Sequence, residues 1–192
     1  STAGSIYSHF DRSLTTSAVT FRPGETPHIG MAFTVKKMSS IVHVLRYYPP
    51  DFFMELIGVF DTVPMAKLFK SRYKDDGHSI MVYPDASGNS RKSNNASESD
   101  LSILRQHGLS VCVNPTNPAV KDRVLSMNRM LHHEGERKYR INPDACPHYV
   151  EALEKQAYDR NGEPDKSSGL DHCIDAGGYF IAYRYPIQKR LA

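Results

Sequence analysis

Apolar and polar residues alternate along the first part of the chain after residue 28. Ile29, Met31, Phe33 and Val35 occupy every second position, and a second apolar run covers residues 41–45. A period of two is typical of a strand that buries one of its faces. The pattern therefore predicts two paired antiparallel strands at the start of the folded part.

The rest of the chain combines short apolar runs with apolar residues at helical spacing. Further strands are predicted at 52–60, 80–83, 109–113 and 139–141. Helices are predicted from Asp61-Thr62 to no later than Gly77, around 101–104, and at 118–131, 143–158 and 169–183. Strands that alternate with helices are typical of an α/β fold. Residues 1–27 show no sustained period, so we expect a lead-in segment there and the folded domain at 28–192.

Composition narrows the class of protein. The 192 residues, of which 40% are hydrophobic, suit one domain with one core. The net charge of +3 permits contact with a polyanion without requiring it. Three widely spaced cysteines argue against a disulfide framework and favour a reducing cytosol. No apolar run approaches the roughly 20 residues that span a bilayer, so we expect no membrane partner. The start at Ser1, without methionine, suggests a fragment of something longer.

Asp85 is the first candidate for chemistry. It follows the predicted strand at 80–83 and precedes Ala-Ser-Gly. Its carboxylate is therefore expected at the carboxyl end of a strand, where open α/β sheets bind their ligands. An aspartate that accepts a backbone hydrogen bond in a turn explains this segment equally well.

A second set of polar residues opens the last predicted helix. Asp171 and Asp175 are separated by four positions and His172 and Asp175 by three, so all three lie near one helix face. Carboxylates are the ligands that Mg²⁺ and Mn²⁺ prefer. Acids that merely stabilise the amino end of a helix are the structural alternative.

Three basic residues are candidates for contact with phosphate. Lys166 lies in a turn-rich approach to the last helix, from which an ammonium group can reach a reacting phosphate. Arg91 and Lys92 lie in a polar loop at 89–99 and are candidates for contact with DNA. A solvated surface position explains each of them as well. The chain has neither a GxSxG elbow nor a P-loop, which excludes those two kinds of site from it.

Five segments together resemble the nuclease domain of large terminases from headful-packaging phages. They are His-Ile-Gly-Met-x-Phe-x-Val at 28–35, Asp-Thr at 61–62, Val-Tyr-Pro-Asp-Ala-Ser-Gly at 82–88, Val-Asn-Pro at 113–115 and Asp-His-x-x-Asp-Ala at 171–176. The resemblance covers most of the chain from residue 28. It implies an RNase H-like mixed sheet with antiparallel first strands and flanking helices.

The resemblance also implies residue roles. Asp85 takes the acidic position at the end of the fourth strand, and Asp175 takes the acidic position on the late helix. Asp85, Asp175 and Asp171 become the expected ligands of two Mg²⁺ or Mn²⁺ ions. His172 and Lys166 join Asp85 and Asp175 as expected catalytic residues, because Lys166 resembles a family lysine near the scissile phosphate.

The activity implied by the resemblance is cleavage of concatemeric double-stranded DNA during packaging of a viral genome, in the host cytoplasm. The implied partners are an ATPase domain of the same polypeptide, the portal protein and the small terminase subunit. Residues 1–27 then become the linker from that ATPase domain, and residues 28–192 the nuclease domain.

One departure from the family pattern is serious, and the neighbouring Thr34 and Lys36 also depart from it. The family has Gly-Met-Asp-Phe on the first strand, and this chain has alanine at Ala32 instead of the aspartate. Alanine provides no metal ligand, so we expect weakened metal binding and cleavage. Asp11 and Glu55 are the two acids considered as substitutes. Because of this departure, a catalytically silent module that docks to DNA or to the portal protein stays an alternative function. Another RNase H-like nuclease, of the resolvase or integrase type, is a further alternative.

Overall fold

The computed structural model describes residues 4–33, 38–46, 50–59, 62–73, 79–89 and 99–188, with the backbone alone at 50–59 and 89. The strands are β1 (His28–Ala32), β2 (Met38–Leu45), β3 (Pro50–Val59), β4 (Met81–Pro84), β5 (Ser110–Val111) and β6 (Arg140–Ile141). The helices are α1 (Arg12–Thr15), α2 (Thr62–Arg72), α3 (Asp100–Gln106), α4 (Val120–Leu131), α5 (Pro147–Lys155) and α6 (Asp171–Arg184). A 3₁₀ turn, Ala86–Asn89, follows β4.

The strands form one mixed sheet of order β5-β4-β1-β2-β3-β6. β1 pairs antiparallel with β2, and β2 pairs antiparallel with β3. β4 runs parallel to β1, β5 runs parallel to β4, and β6 runs parallel to β3. The predicted mixed sheet with antiparallel first strands is confirmed.

The alternation along β1 separates two hydrophobic clusters on opposite faces of the sheet. Ile29 and Met31 pack in the cluster that contains Met65 and Phe69 of α2. Ala32 belongs to the other cluster, to which α6 contributes. Gly30 also faces α6, and a Cβ at this position would overlap the backbone of Ala176. Glycine is therefore required on β1 so that α6 can approach the centre of the sheet.

A hydrogen-bonded chain of buried polar groups crosses the α6 face. The carbonyl oxygen of His28 accepts from His43 Nδ1 at 2.8 Å, so Nε2 of the neutral ring is the acceptor for the Tyr139 hydroxyl at 3.2 Å. The hydroxyls of Tyr139 and Tyr149 lie 2.6 Å apart. On β1, His28 Nδ1 lies 2.6 Å from the hydroxyl of Tyr83. These bonds satisfy polar groups that the core encloses.

The segment before β1 packs on the same domain, although its sequence shows no period. Ile6, Tyr7 and Phe10 are buried in the cluster on the α6 face. Bridges also join Ser5 to Ala157 and Thr16 to Ile141. An irregular backbone places its apolar side chains without a repeat, which explains the missing signal. The assignment of residues 1–27 as a linker stays a prediction.

Helix α5 and strand β5 are clearly shorter than predicted. Helix α5 begins at Pro147 rather than at 143, because Asn142 Oδ1 accepts from the backbone N–H of Asp144 and Ala145 and holds those residues in a turn. Strand β5 covers two residues of the predicted 109–113, since its partner β4 ends at Pro84, which has no N–H for the ladder. None of the helices in the described ranges is long and apolar enough to cross a membrane.

Candidate active site

Asp85 is held at the end of β4 by hydrogen bonds on both carboxylate oxygens. Its backbone N–H donates to the carbonyl of Met31 at 3.0 Å. Oδ1 accepts from the backbone N–H of Ser87 at 2.8 Å and from Asn117 Nδ2 at 2.6 Å. Oδ2 accepts from the hydroxyl of Tyr179 at 3.3 Å. The carboxylate thus caps the following turn, as the structural alternative predicted, and is also fixed in orientation at the sheet edge.

Ala32 is the neighbour of Asp85 on the next strand. The parallel register pairs Gly30 with Tyr83 and Met31 with Pro84. One residue further on, Ala32 lies beside Asp85. By the alternation of side chains along a strand, both residues lie on the face of the sheet that packs against α6. Ala32 is only 4% exposed. The position where the resemblance implies an acid is therefore occupied by a buried methyl group.

Asp175 lies on α6 and is paired with an arginine of α4. Arg123 Nη1 lies 3.0 Å from Asp175 Oδ1. Burial raises the pKa of Asp175, and the positive charge of Arg123 opposes that rise. The Arg123 side chain is 12% exposed, against 32% for Asp175, so the carboxylate retains an open side and the guanidinium does not.

Arg123 and Tyr179 connect the two acidic positions. The guanidinium lies over the Tyr179 ring, 4.8 Å from its centroid, which is within the range of a cation–π contact. Because the Tyr179 hydroxyl donates to Asp85, a continuous set of contacts runs from Asp175 through Arg123 and Tyr179 to Asp85. The two acids that the resemblance singled out therefore belong to one connected cluster.

Asp171 and His172 differ in their surroundings. Asp171 is buried, and its Oδ1 has no hydrogen-bond partner among the described residues. It lines, with Asp175, Arg123 and Tyr7, a cavity of about 20 Å³ between α4 and α6. His172 is half exposed, with Nδ1 4.0 Å from Asp171 Oδ2. Asp171 and Asp175 line the same cavity, whereas His172 is not among the residues that line it.

The predicted basic residues are only partly described. Lys166 is exposed in the turn before α6, and its charge favours the ionised form of Asp175, which lowers the pKa of that carboxyl. Arg91 and Lys92, with most of the polar loop, lie outside the described residues. Their proposed contact with DNA stays a prediction.

The two acids considered as substitutes for an acid at Ala32 lie on elements other than β1. Asp11 caps α1, where its Oδ1 accepts from the backbone N–H of Ser13 and Leu14. Glu55 lies on β3, which β1 and β2 separate from β4. Three strand spacings amount to roughly 14 Å between those backbones.

The donor set suits a hard cation by its chemistry but is small. Asp85 and Asp175 offer carboxylate oxygens, and Asp171 adds a buried oxygen that no donor satisfies. Such oxygens are ligands for Mg²⁺ or Mn²⁺. In the described part of the chain, however, no three His, Cys, Asp or Glu residues come together as a metal-binding group. The chemistry of these three acids fits a divalent ion.

Sequence reasoning missed Arg123, Tyr179 and Asn117. Arg123 could have been singled out from the sequence. It lies among Val120, Val124 and Met127 on the apolar stripe of α4, where burial of an unpaired charge costs free energy. Tyr179 lies four positions after Asp175 and so shares its helix face. The contact of Asn117 with Asp85 spans 32 residues and has no local signature.

A family model described as "Terminase RNaseH-like domain" matches residues 60–184. The match covers more than half of the chain. It includes Asp85, Asp171 and Asp175, and it begins after Ala32. A comparison with curated protein sequences finds none that matches.

Solved structures share the fold. The nuclease domain of the P22 large terminase matches with a TM-score of 0.68 and 15% identity, over 96% of this chain and 94% of that one. The large terminase nuclease of the thermophilic phage G20c with bound magnesium matches with a TM-score of 0.64 and 15% identity, over 96% and 98%. A large terminase of another thermophilic bacteriophage, in complex with ATP-gamma-S, matches with a TM-score of 0.70 and 18% identity, over 94% and 45%. This chain thus spans a little under half the length of that last terminase.

Proposed function

Since the chain belongs to the family of terminase RNase H-like domains, we propose that it is the DNA endonuclease domain of a viral genome-packaging terminase. It cuts concatemeric double-stranded DNA by metal-dependent hydrolysis of phosphodiester bonds. The observation that supports this most directly is the contact between the Asp85 and Asp175 positions, made through Tyr179 and Arg123 at one edge of the sheet. The family match disfavours a resolvase or integrase.

The proposed metal ligands are Asp85 and Asp175, with Asp171 in support. A Mg²⁺ or Mn²⁺ ion held there would supply a Lewis acid for hydrolysis of the phosphodiester bond, and the proposal includes a second ion of the same kind. The G20c nuclease, a structural relative, was solved with bound magnesium.

The remaining proposed roles belong to side chains of this chain. Three hydrogen bonds fix the Asp85 carboxylate, so it needs little reorganisation to bind. Exposed Lys166 can offset negative charge on the reacting phosphate. Half-exposed His172, beside Asp171, is proposed as a further catalytic residue. Arg91 and Lys92 are proposed to contact DNA phosphates.

The second candidate function is a catalytically silent module that docks to DNA or to the portal protein. The observation that favours it is the methyl group of Ala32 at the family's first acidic position, together with the small donor set in the described ranges. Under this proposal the domain uses its fold to bind DNA or the portal protein, and the carboxylates near α6 contribute to the stability of the fold.

The proposed partners follow from the family context. An ATPase domain of the same polypeptide is supported by the large terminase solved with ATP-gamma-S, which is about twice as long as this chain. The portal protein and the small terminase subunit complete the proposed assembly, in the host cytoplasm. The lead-in at 1–27 is proposed as the connection to the ATPase domain.

Nicking of supercoiled plasmid in Mn²⁺ tests the proposal. We expect slow nicking by the chain that stops with chelator and is lost in Asp85→Asn and Asp175→Asn. Asp144→Asn, an exposed acid before α5, is the matched control and retains nicking. Nicking by Ala32→Asp but not by the unaltered chain would identify a weakened nuclease. Absence of nicking by both would favour the docking module.

A further inference from the structure

Arg123 makes contacts with one face of α6 over a full helical turn. Its Nη1 pairs with Asp175 at 3.0 Å, and its guanidinium covers the ring of Tyr179. Between these two, Gly178 has no side chain, and a Cβ there would lie 3.9 Å from Arg123 Cδ and Nη1. Residues at i, i+3 and i+4 of α6 thus form a shallow seat for one arginine.

We propose that Arg123 is the resident counter-cation of the acidic site, and that its charge limits how tightly the site binds a divalent cation. It acts as a positioning residue, because it orients Asp175 directly and Asp85 through Tyr179. The inference rests on the proposed function, in which Asp175 is a metal ligand.

The charges at the site explain why this arginine matters in this chain. Counted by formal charge, Asp85, Asp171 and Asp175 contribute three negative charges, and Arg123 and Lys166 contribute two positive charges. One net negative charge remains, where a carboxylate at Ala32 would leave two. Lys166 is exposed and screened by solvent, whereas Arg123 is 12% exposed, so its repulsion of a cation is the stronger of the two.

The hydrogen bonding of Arg123 distinguishes this role from a purely structural one. Its Nε is buried and has no hydrogen-bond partner among the described residues. A buried structural arginine ordinarily has its donors satisfied. The guanidinium instead contacts the Asp175 carboxylate and the Tyr179 ring, which both belong to the set of contacts that reaches Asp85. The polar contacts of Arg123 are therefore with Asp175 and Tyr179 more than with the rest of the core.

A Mn²⁺ titration that follows the electron paramagnetic resonance signal of free Mn²⁺ measures the effect on affinity. Arg123→Gln removes the charge and keeps an N–H donor, so we expect Mn²⁺ to bind about tenfold tighter or more. Arg123→Lys keeps the charge, and we expect an affinity within about threefold of the unaltered chain. Arg129→Gln, at an exposed position of the same helix, is the control and leaves affinity unchanged. Loss of a merely structural contact would weaken binding, which is the opposite sign.

Thermal unfolding of each variant checks that it folds. A second measurement needs no substitution: in a ¹H–¹⁵N spectrum of arginine Nε groups, Mg²⁺ should shift the Arg123 resonance and leave that of Arg129 in place. A folded Arg123→Gln that binds Mn²⁺ no tighter, or Mg²⁺ binding without a shift at Arg123, overturns the role of Arg123. The metal site itself survives that result if Asp175→Asn abolishes binding. Absence of Mn²⁺ binding from both the unaltered chain and Arg123→Gln overturns the metal site as well.

Discussion

Replacement of Ala32 by aspartate introduces the residue type that the family resemblance implies on the first strand. The new carboxylate would lie beside Asp85, on the face of β1 that packs against α6. It would enter an environment where the existing side chain is 4% exposed. The substitution therefore tests both the architecture of the site and its preference for a cation.

Without metal, the substitution should destabilise the fold. A buried carboxylate without a partner costs several kcal/mol, although a raised pKa recovers part of that cost by protonation. The negative charge of Asp85 on the adjacent strand adds repulsion. A loss of about 3 kcal/mol in the free energy of unfolding would lower Tm by roughly 6–12 °C for a domain of this size.

With metal, much of the loss should be recovered. A ligand present at about 100 times its Kd stabilises the folded state by about 2.7 kcal/mol. The same conversion gives a rise in Tm of roughly 5–11 °C on addition of Mn²⁺. The unaltered chain, which has one acid fewer, should gain much less at the same concentration.

Thermal unfolding followed by circular dichroism, in chelator and in Mn²⁺, measures both effects. Ala32→Asn is the matched control, since it adds a polar group of similar size without a charge and should lose stability without recovery in Mn²⁺. Equal Tm values for Ala32→Asp and the unaltered chain in both buffers would refute the placement of residue 32 at a buried, cation-binding edge. A loss in chelator that Mn²⁺ does not reverse would refute the metal ligation alone.

Two further predictions concern the core that supports the site. Burial lowers the pKa of His28 to about 4 from about 6.5, so the unfolded chain binds the proton more readily than the folded one. The contribution of His28 to the free energy of unfolding is therefore complete above about pH 6.5 and falls as pH drops toward 4, by about 2 kcal/mol at pH 5. Urea unfolding should show this pH dependence, and His28→Gln should show less of it. Gly30→Ala should cost about 2–3 kcal/mol or more in urea unfolding, because its Cβ would overlap the backbone of α6. Gly178→Ala, which meets its nearest neighbour at 3.9 Å, should instead be neutral or stabilise by up to about 1 kcal/mol; equal losses in the two variants would contradict this account of how α6 packs.

The order of strands and helices could be predicted from the sequence because each regular element has its own period. The alternation from Ile29 to Phe33 predicts β1, and the apolar stripe from Val120 to Leu131 predicts α4. Element ends were less predictable where a side chain competes with the helix. Asn142 is such a case, since its bonds to the following N–H groups delay the start of α5.

The candidate site was predictable only where a local pattern or the family resemblance named its residues. Asp85 follows a strand and Asp175 lies in the second turn of a helix, and both positions are predicted from the sequence. Arg123 is 52 residues from Asp175, and Tyr179 is 94 residues from Asp85. Such contacts depend on how α4 and α6 pack, so no spacing of residues along the chain predicts them. The metal-ligating roles of the acids stay predictions.

The sequence by itself determined the α/β class, the antiparallel start of the sheet and the absence of an acid at Ala32, because periodicity and residue identity are local properties. Only the tertiary structure decided that Ala32 lies beside Asp85 and that Arg123 pairs with Asp175. It also decided that Gly30 leaves the space in which α6 packs against the sheet. Parallel strand pairing and helix packing bring together residues far apart in the chain. The charge balance of the site follows from that proximity and from the burial that strengthens it.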